Sequence, residues 1–68
     1  MRYAIVIEKA ADNYSTYVPD LPRCVATGPS IENVEQEIRD PIRFHIEGLK
    51  ADGLAVPEST SIAEYVDA

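Results

Sequence analysis

The stretch Tyr14-Ser15-Thr16-Tyr17-Val18-Pro19-Asp20-Leu21-Pro22 decides how this chain folds. Its first five residues are rich in aromatic and β-branched side chains, which suit a pleated strand. Two prolines then fix φ and withhold backbone donors, so the strand must end at a turn. On the N-terminal side, Asp12-Asn13 supplies turn chemistry, and before it Arg2 to Ile7 carries the nearly continuous apolar run Tyr3-Ala4-Ile5-Val6-Ile7. Such a run reads as a strand covered on both faces. The short connection makes the two strands an antiparallel hairpin. On the C-terminal side, Arg23 to Thr27 reads as a third short strand, closed by Gly28-Pro29.

Ser30 is placed as an N-cap, its hydroxyl positioned to accept from one of the first free amides of a helix. Ile31, Val34, Ile38, Ile42, His45 and Leu49 then recur at spacings of three and four residues, which is one stripe of a helix. Glu32, Gln36, Arg39, Asp40, Arg43 and Glu47 take the other side. Pro41 interrupts the pattern, removing one helical hydrogen bond and crowding the turn before it, so a kink or break is expected between Glu37 and Pro41. Gly53 serves as an approximate terminator, Ala51 to Thr60 as a connection across the sheet, and Ser61 to Val66 as a fourth strand. The expected fold is α+β, a β-β-β-α-β two-layer sandwich. A helical crossover favours parallel neighbours, so the fourth strand is expected beside the first, in the order 3-2-1-4.

The chain has 68 residues, one Cys and no Trp, with six Lys and Arg against twelve Asp and Glu for a net charge of −6. The expectation is a single domain, 1–68, without a linker or repeat. A domain of this size buries only about 60% of the surface its unfolded chain exposes, which argues against a deep enclosed active site. Small folds are commonly supported by disulfides, a metal or a partner. Cys24 is alone, and with His45 it cannot complete a tetrahedral zinc site unaided. Oligomerisation or a partner protein remains. The hydrophobic fraction of 46% is that of a folding domain. The negative charge, without any Lys/Arg cluster, argues against phosphate-driven nucleic-acid binding. It suits either a basic protein partner or simple solubility. No run is long enough to cross a membrane, and Met1 to Ala11 lacks the apolar core and cleavage site of a signal peptide. A cytoplasmic location is expected, with which the unpaired Cys24 agrees.

Few residues carry catalytic promise. His45 falls within the apolar stripe and reads as a partly buried histidine rather than a general base, because no nucleophile is tied to it by a known spacing. Cys24 reads as a small buried hydrophobe. Glu8, Asp12, Asp20, Glu32, Glu35, Glu37 and Asp40 are numerous enough for a metal-binding carboxylate cluster, but their spacing places most of them on a solvated helix face or in turns. No enzyme activity, metal or cofactor is expected. Phe44 stands on the polar side of the helix. It is a singly exposed aromatic, an anchor in a contact surface, or a side chain that a Pro41 kink turns back toward the core. Tyr3, Tyr14, Tyr17 and Tyr65 exceed what one helix can cover, which adds to the case for an interface. Phe44, Tyr14, Tyr17, Arg43 and Glu47 are the candidate partner or oligomer contacts.

The runs Tyr3-Ala4-Ile5-Val6-Ile7-Glu8-Lys9, Tyr14 to Pro22 and Cys24-Val25-Ala26-Thr27-Gly28, with the helix start Ser30-Ile31-Glu32-Asn33, are similar to the HicB family of antitoxins. Phe44-His45-Ile46-Glu47-Gly48-Leu49, Asp52-Gly53 and Val56-Pro57-Glu58 extend the resemblance over nearly the whole chain. It implies a truncated RNase H-like fold without nuclease residues. It also implies dimers or larger oligomers, and a HicA-like partner, a small basic mRNA-cleaving toxin that the acidic protein masks. The alternative is a solitary oligomeric HicB-like domain that binds another protein or a ligand. Longer family members carry a DNA-binding segment, which is not expected here, because the chain stops at Ala68. Two positions depart from the family pattern: Arg23 stands where Gly is usual, and Pro41 where a helix former is usual.

Overall fold

A computed structural model describes residues 1–68. Three short strands, β1 (Val6–Lys9), β2 (Tyr14–Tyr17) and β3 (Val25–Gly28), form an antiparallel sheet in the order β1-β2-β3. Val6 faces Tyr17 and Lys9 faces Tyr14 in the hairpin, while Tyr17 faces Val25 across the second ladder. Two helices follow, α1 (Ile31–Glu37) and α2 (Arg39–Ala51). The α+β two-layer character is as the sequence predicts.

The strand boundaries shift for a reason of pairing. β1 starts at Val6 instead of Arg2, because its partner β2 ends at Tyr17 and continues into Val18-Pro19, leaving Tyr3 to Ile5 nothing to pair with. The expected fourth strand, Ser61 to Val66, is not formed, so the sheet has three strands and the order 3-2-1-4 is not realised. This segment runs beside β1, and Ile5, Val6 and Ile7 share an open groove of about 360 Å³ with Ile62 to Tyr65. At its start the backbone amides of Thr60 and Ser61 both donate to the Asp20 carboxylate, so they are not free to join a ladder. The residues that follow, Ala63 and Glu64 among them, have weak strand propensity.

The loop between β2 and β3 holds the centre of the core. Val18, Leu21, Cys24 and Ile38 form one buried cluster, with Tyr3, Ile5, Ala26 and Ile42 packed on it. The loop folds onto itself through two successive turns, Leu21 N–H donating to Val18 O at 3.1 Å and Cys24 N–H to Leu21 O at 3.3 Å, and Val18 N–H closes it on Cys24 O at 3.2 Å. In the second turn Pro22 and Arg23 are the central pair. Pro at the first and a positive φ at the second make it a type II turn, and Arg23 has φ +74. A β-carbon there is strained, and Gly is the residue that fits.

α1 begins where Ser30, in an extended conformation, accepts from Asn33 N–H at 3.1 Å through its hydroxyl. Gly28, just before it, lets α1 close on the end of β3, since a β-carbon at that position would run into the Asn33 side chain and crowd Val34. The break falls at Ile38, within the predicted window. Its cause is Pro41, the third residue of α2, whose missing N–H and bulky ring exclude a bond to the carbonyl four residues earlier. That carbonyl belongs to Glu37, the last residue of α1. α2 ends on a Schellman motif: Gly53, at φ +70, donates to Lys50 O, and Leu54 N–H donates to Leu49 O.

Only six of the 68 residues are buried, and none of these lies in α2. The chain measures 41 × 26 × 16 Å with a radius of gyration of 13.1 Å, against about 11 Å for a compact domain of this length. Its accessible area of 5472 Å² exceeds the roughly 4,200 Å² of a typical monomer of its mass. The surplus is larger than the roughly 800 Å² per partner of an ordinary protein interface.

Candidate contact surfaces and the C-terminal strap

The residues singled out from the sequence fall on three different surfaces. Tyr14 and Tyr17 point to opposite faces of the sheet, since side chains alternate along a strand and three residues separate them. Tyr14 shares the inner face with Thr16 and is half-buried; Tyr17 is on the outer face, 41% exposed. Directly across the ladders from Tyr17 lie Val6 and Val25, the latter 61% exposed, so the three make an apolar row that no helix covers. The buried Thr16 hydroxyl on the inner face has no hydrogen-bond partner.

Phe44, Arg43 and Glu47 lie together on α2. Phe44 is 80% exposed, so the break at Ile38 does not return it to the core. It borders an open recess of about 230 Å³ with His45, Gly48, Leu49 and Asp52. Arg43 borders a second, of about 440 Å³, between α2 and the chain start, with Met1, Tyr3, Arg39, Ile42 and Ile46. His45 is half-buried. No three His, Cys, Asp or Glu side chains come together in a metal-holding group. Glu8, Asp12, Glu32, Glu35, Glu37 and Asp40 are all exposed. Cys24 is buried, its thiol donating to Pro41 O at 3.7 Å, and burial pushes its pKa up, away from the reactive thiolate.

A further feature was not legible in the sequence. Asp20, in the loop between β2 and β3, is a clamp for the C-terminal strap. Its Oδ2 accepts the backbone N–H groups of Thr60 and Ser61, each at 3.0 Å, and its Oδ1 accepts their hydroxyls at 3.2 and 2.8 Å. These bonds, the Ser61 amide foremost and its hydroxyl next, hold the carboxyl below the usual carboxylate range against the opposing effect of desolvation, with the two Thr60 bonds adding less. Tyr3 adds a second tie, its phenol donating to Pro57 O at 2.6 Å. The partners are 40 and 54 residues apart in sequence, and only the run Ser59-Thr60-Ser61, dense in hydroxyls, hints at the first.

A family model described as HicB_like antitoxin of bacterial toxin-antitoxin system matches residues 3–68. The chain belongs to the HicB-like antitoxin family. Among solved structures, a chain of a HicA3 and HicB3 toxin-antitoxin complex is similar to it, with a TM-score of 0.70 and 25% identity over 88% of this chain and 70% of that one. An uncharacterized 14.9 kDa protein from the rep-hol intergenic region of Haemophilus phage HP1 is 37% identical over 67 residues. This match takes in 98% of the HicB-like chain and only half of the phage protein's length. A UPF0150 protein of Helicobacter pylori is 40% identical over 50 residues, 74% of this chain and 69% of its own. A UPF0150 protein of Thermoplasma acidophilum is 32% identical over 62 residues, 90% of each chain. No helix of this HicB-like chain is long and apolar enough to cross a membrane.

Proposed function

We propose that this chain is a non-enzymatic antitoxin of the cytoplasm that binds and neutralises a HicA-like mRNA-cleaving toxin, and that it does so as a homo-oligomer. The observation that carries the reading is the likeness to a chain of a HicA3 and HicB3 toxin-antitoxin complex, over most of both chains, together with the family match over residues 3–68. Two physical features support it. The net charge of −6 favours encounter with a basic partner. The accessible area of 5472 Å² leaves more surface uncovered than a free monomer of this mass needs.

The toxin meets the open face of the sheet. Tyr17, flanked by Val6 and Val25, offers the aromatic anchor and apolar surround typical of an interface centre. Co-expression with a basic HicA-like toxin is expected to relieve that toxin's growth arrest and to give a co-purifying complex. Tyr17→Ala is expected to weaken that complex by about tenfold or more. Absence of both rescue and complex refutes the antitoxin reading. An unaltered complex with Tyr17→Ala refutes only the placement of the contact.

A further inference from the structure

We propose that α2 is the self-association surface, two copies of the chain packing it antiparallel so that Phe44 of each enters the hollow over Gly48 of the other. The proposal rests on the homo-oligomer part of the preceding reading and owes nothing to toxin binding.

Gly48 is the first observation. A glycine inside a helix is costly relative to alanine, so it needs a reason. Its backbone gives none, because the only glycine with positive φ is Gly53. Intramolecular packing gives none either, since a β-carbon at Gly48 would meet nothing within 4 Å. What remains is close approach of something outside the chain. Phe44 is the second observation: 80% exposed, one helical turn before Gly48, on the same face and at the rim of the same recess. A recess of about 230 Å³ has room for a phenyl ring.

A knob and a hollow four residues apart on one helix are self-complementary. A two-fold axis passing between the two copies of α2, level with Ile46, sets position 44 of one copy against position 48 of the second, the isologous pairing in which each residue meets the other's counterpart. Glycine at the crossing permits the shorter of the usual interhelical distances, about 8 Å. The antiparallel arrangement also opposes the two helix dipoles.

Charge fits the same axis. Arg43 and Glu47 each precede the knob and the hollow by one residue, so they share one flank of α2. Across the axis, Arg43 of one copy comes within about two residues' rise, roughly 3 Å, of the level of Glu47 of the second copy. Both side chains are exposed, as cross-chain pairing requires.

The experiment is a sedimentation and light-scattering series on the whole chain from about 10 μM to about 1 mM, since dimer population follows protomer concentration. The wild type is expected to shift from monomer to dimer within that range. Phe44→Ala and Gly48→Ala are each expected to weaken the dimer by about tenfold or more. Gly48→Ala is also expected to raise the thermal midpoint of the dilute monomer, because alanine favours the helix. Lost stability then cannot explain the lost dimer. Arg43→Glu and Glu47→Arg are each expected to weaken association several-fold, and their combination to restore it to within about twofold. A wild type that stays monomeric throughout overturns the proposal, as does a dimer indifferent to Phe44→Ala and Gly48→Ala, or a charge swap that restores nothing. Toxin rescue by Phe44→Ala, scored in parallel, separates this failure from failure of the antitoxin reading.

Discussion

Replacing Arg23 by glycine should stabilise the protein. Arg23 is the third residue of the turn Leu21 to Cys24 and holds φ at +74, where the β-carbon of an L-residue costs about 1–2 kcal/mol. Glycine removes that cost and adds back about 0.5–1 kcal/mol through the greater freedom of the unfolded chain. The net expectation is a gain of about 0.5–1 kcal/mol. The turn is closed by Cys24 N–H donating to Leu21 O at 3.3 Å, a bond that glycine at position 23 leaves in place. Arg23 is exposed, so its removal disturbs no packing. For a domain of this size the gain corresponds to a rise in Tm of about 2–8 °C. Far-UV circular dichroism during thermal and urea unfolding reads it, with protein concentration held low and fixed so that self-association does not contribute. Arg23→Ala is the control, because it removes the guanidinium and keeps the β-carbon. If Arg23→Ala gains as much as Arg23→Gly, or if Arg23→Gly gains nothing, the backbone argument is wrong.

Three further outcomes follow from the same geometry. Thr16→Val, which deletes a buried hydroxyl without a partner and keeps the shape, is expected to be neutral or stabilising by up to about 1 kcal/mol in urea unfolding; a clear loss would reveal a bond not accounted for. Asp20 has its pKa lowered in the fold, so its contribution is fully present above the ordinary carboxyl value of 3.8 and is lost as pH falls through the lowered one. The protection of the Thr60 and Ser61 amides, measured against the intrinsic exchange rate at each pH, should therefore fall on acidification below 3.8, and Asp20→Asn should lower it at neutral pH; protection indifferent to both would contradict the clamp. Cys24, buried and with its thiol pKa raised, should resist a disulfide reagent at mildly alkaline pH and react promptly in denaturant, whereas rapid labelling of the native protein would contradict its place in the core.

What the sequence discloses about this fold is what short-range chemistry controls. Ser30 as cap, Gly53 as terminator and the break ahead of Pro41 all act within five residues of themselves, and all three are found where the sequence predicts them. β1 is less legible, because Tyr3, Ala4 and Ile5 have strand composition but lack a partner once β2 turns away at Val18. The same holds for Ser61 to Val66, a run of mixed faces read as a strand, while the Asp20 clamp takes the amides of Ser61 and of Thr60 just before it. Of the candidate contacts, the exposure of Phe44 is readable from helical phase, since it stands off the apolar stripe. The separation of Tyr14 from Tyr17 is implicit in strand parity. The clamp spans 40 residues and has no local signature at all.

Loops are ordinarily the part of a domain that tolerates change, because they carry few contacts. Here that expectation is inverted, for Val18, Leu21 and Cys24 put three of the four residues of the core cluster into the connection between β2 and β3. A tag, epitope or inserted sequence placed there would displace the centre of the protein. The exposed hairpin turn at Ala11, Asp12 and Asn13 buries nothing and is the permissive point of entry for grafting or circular permutation.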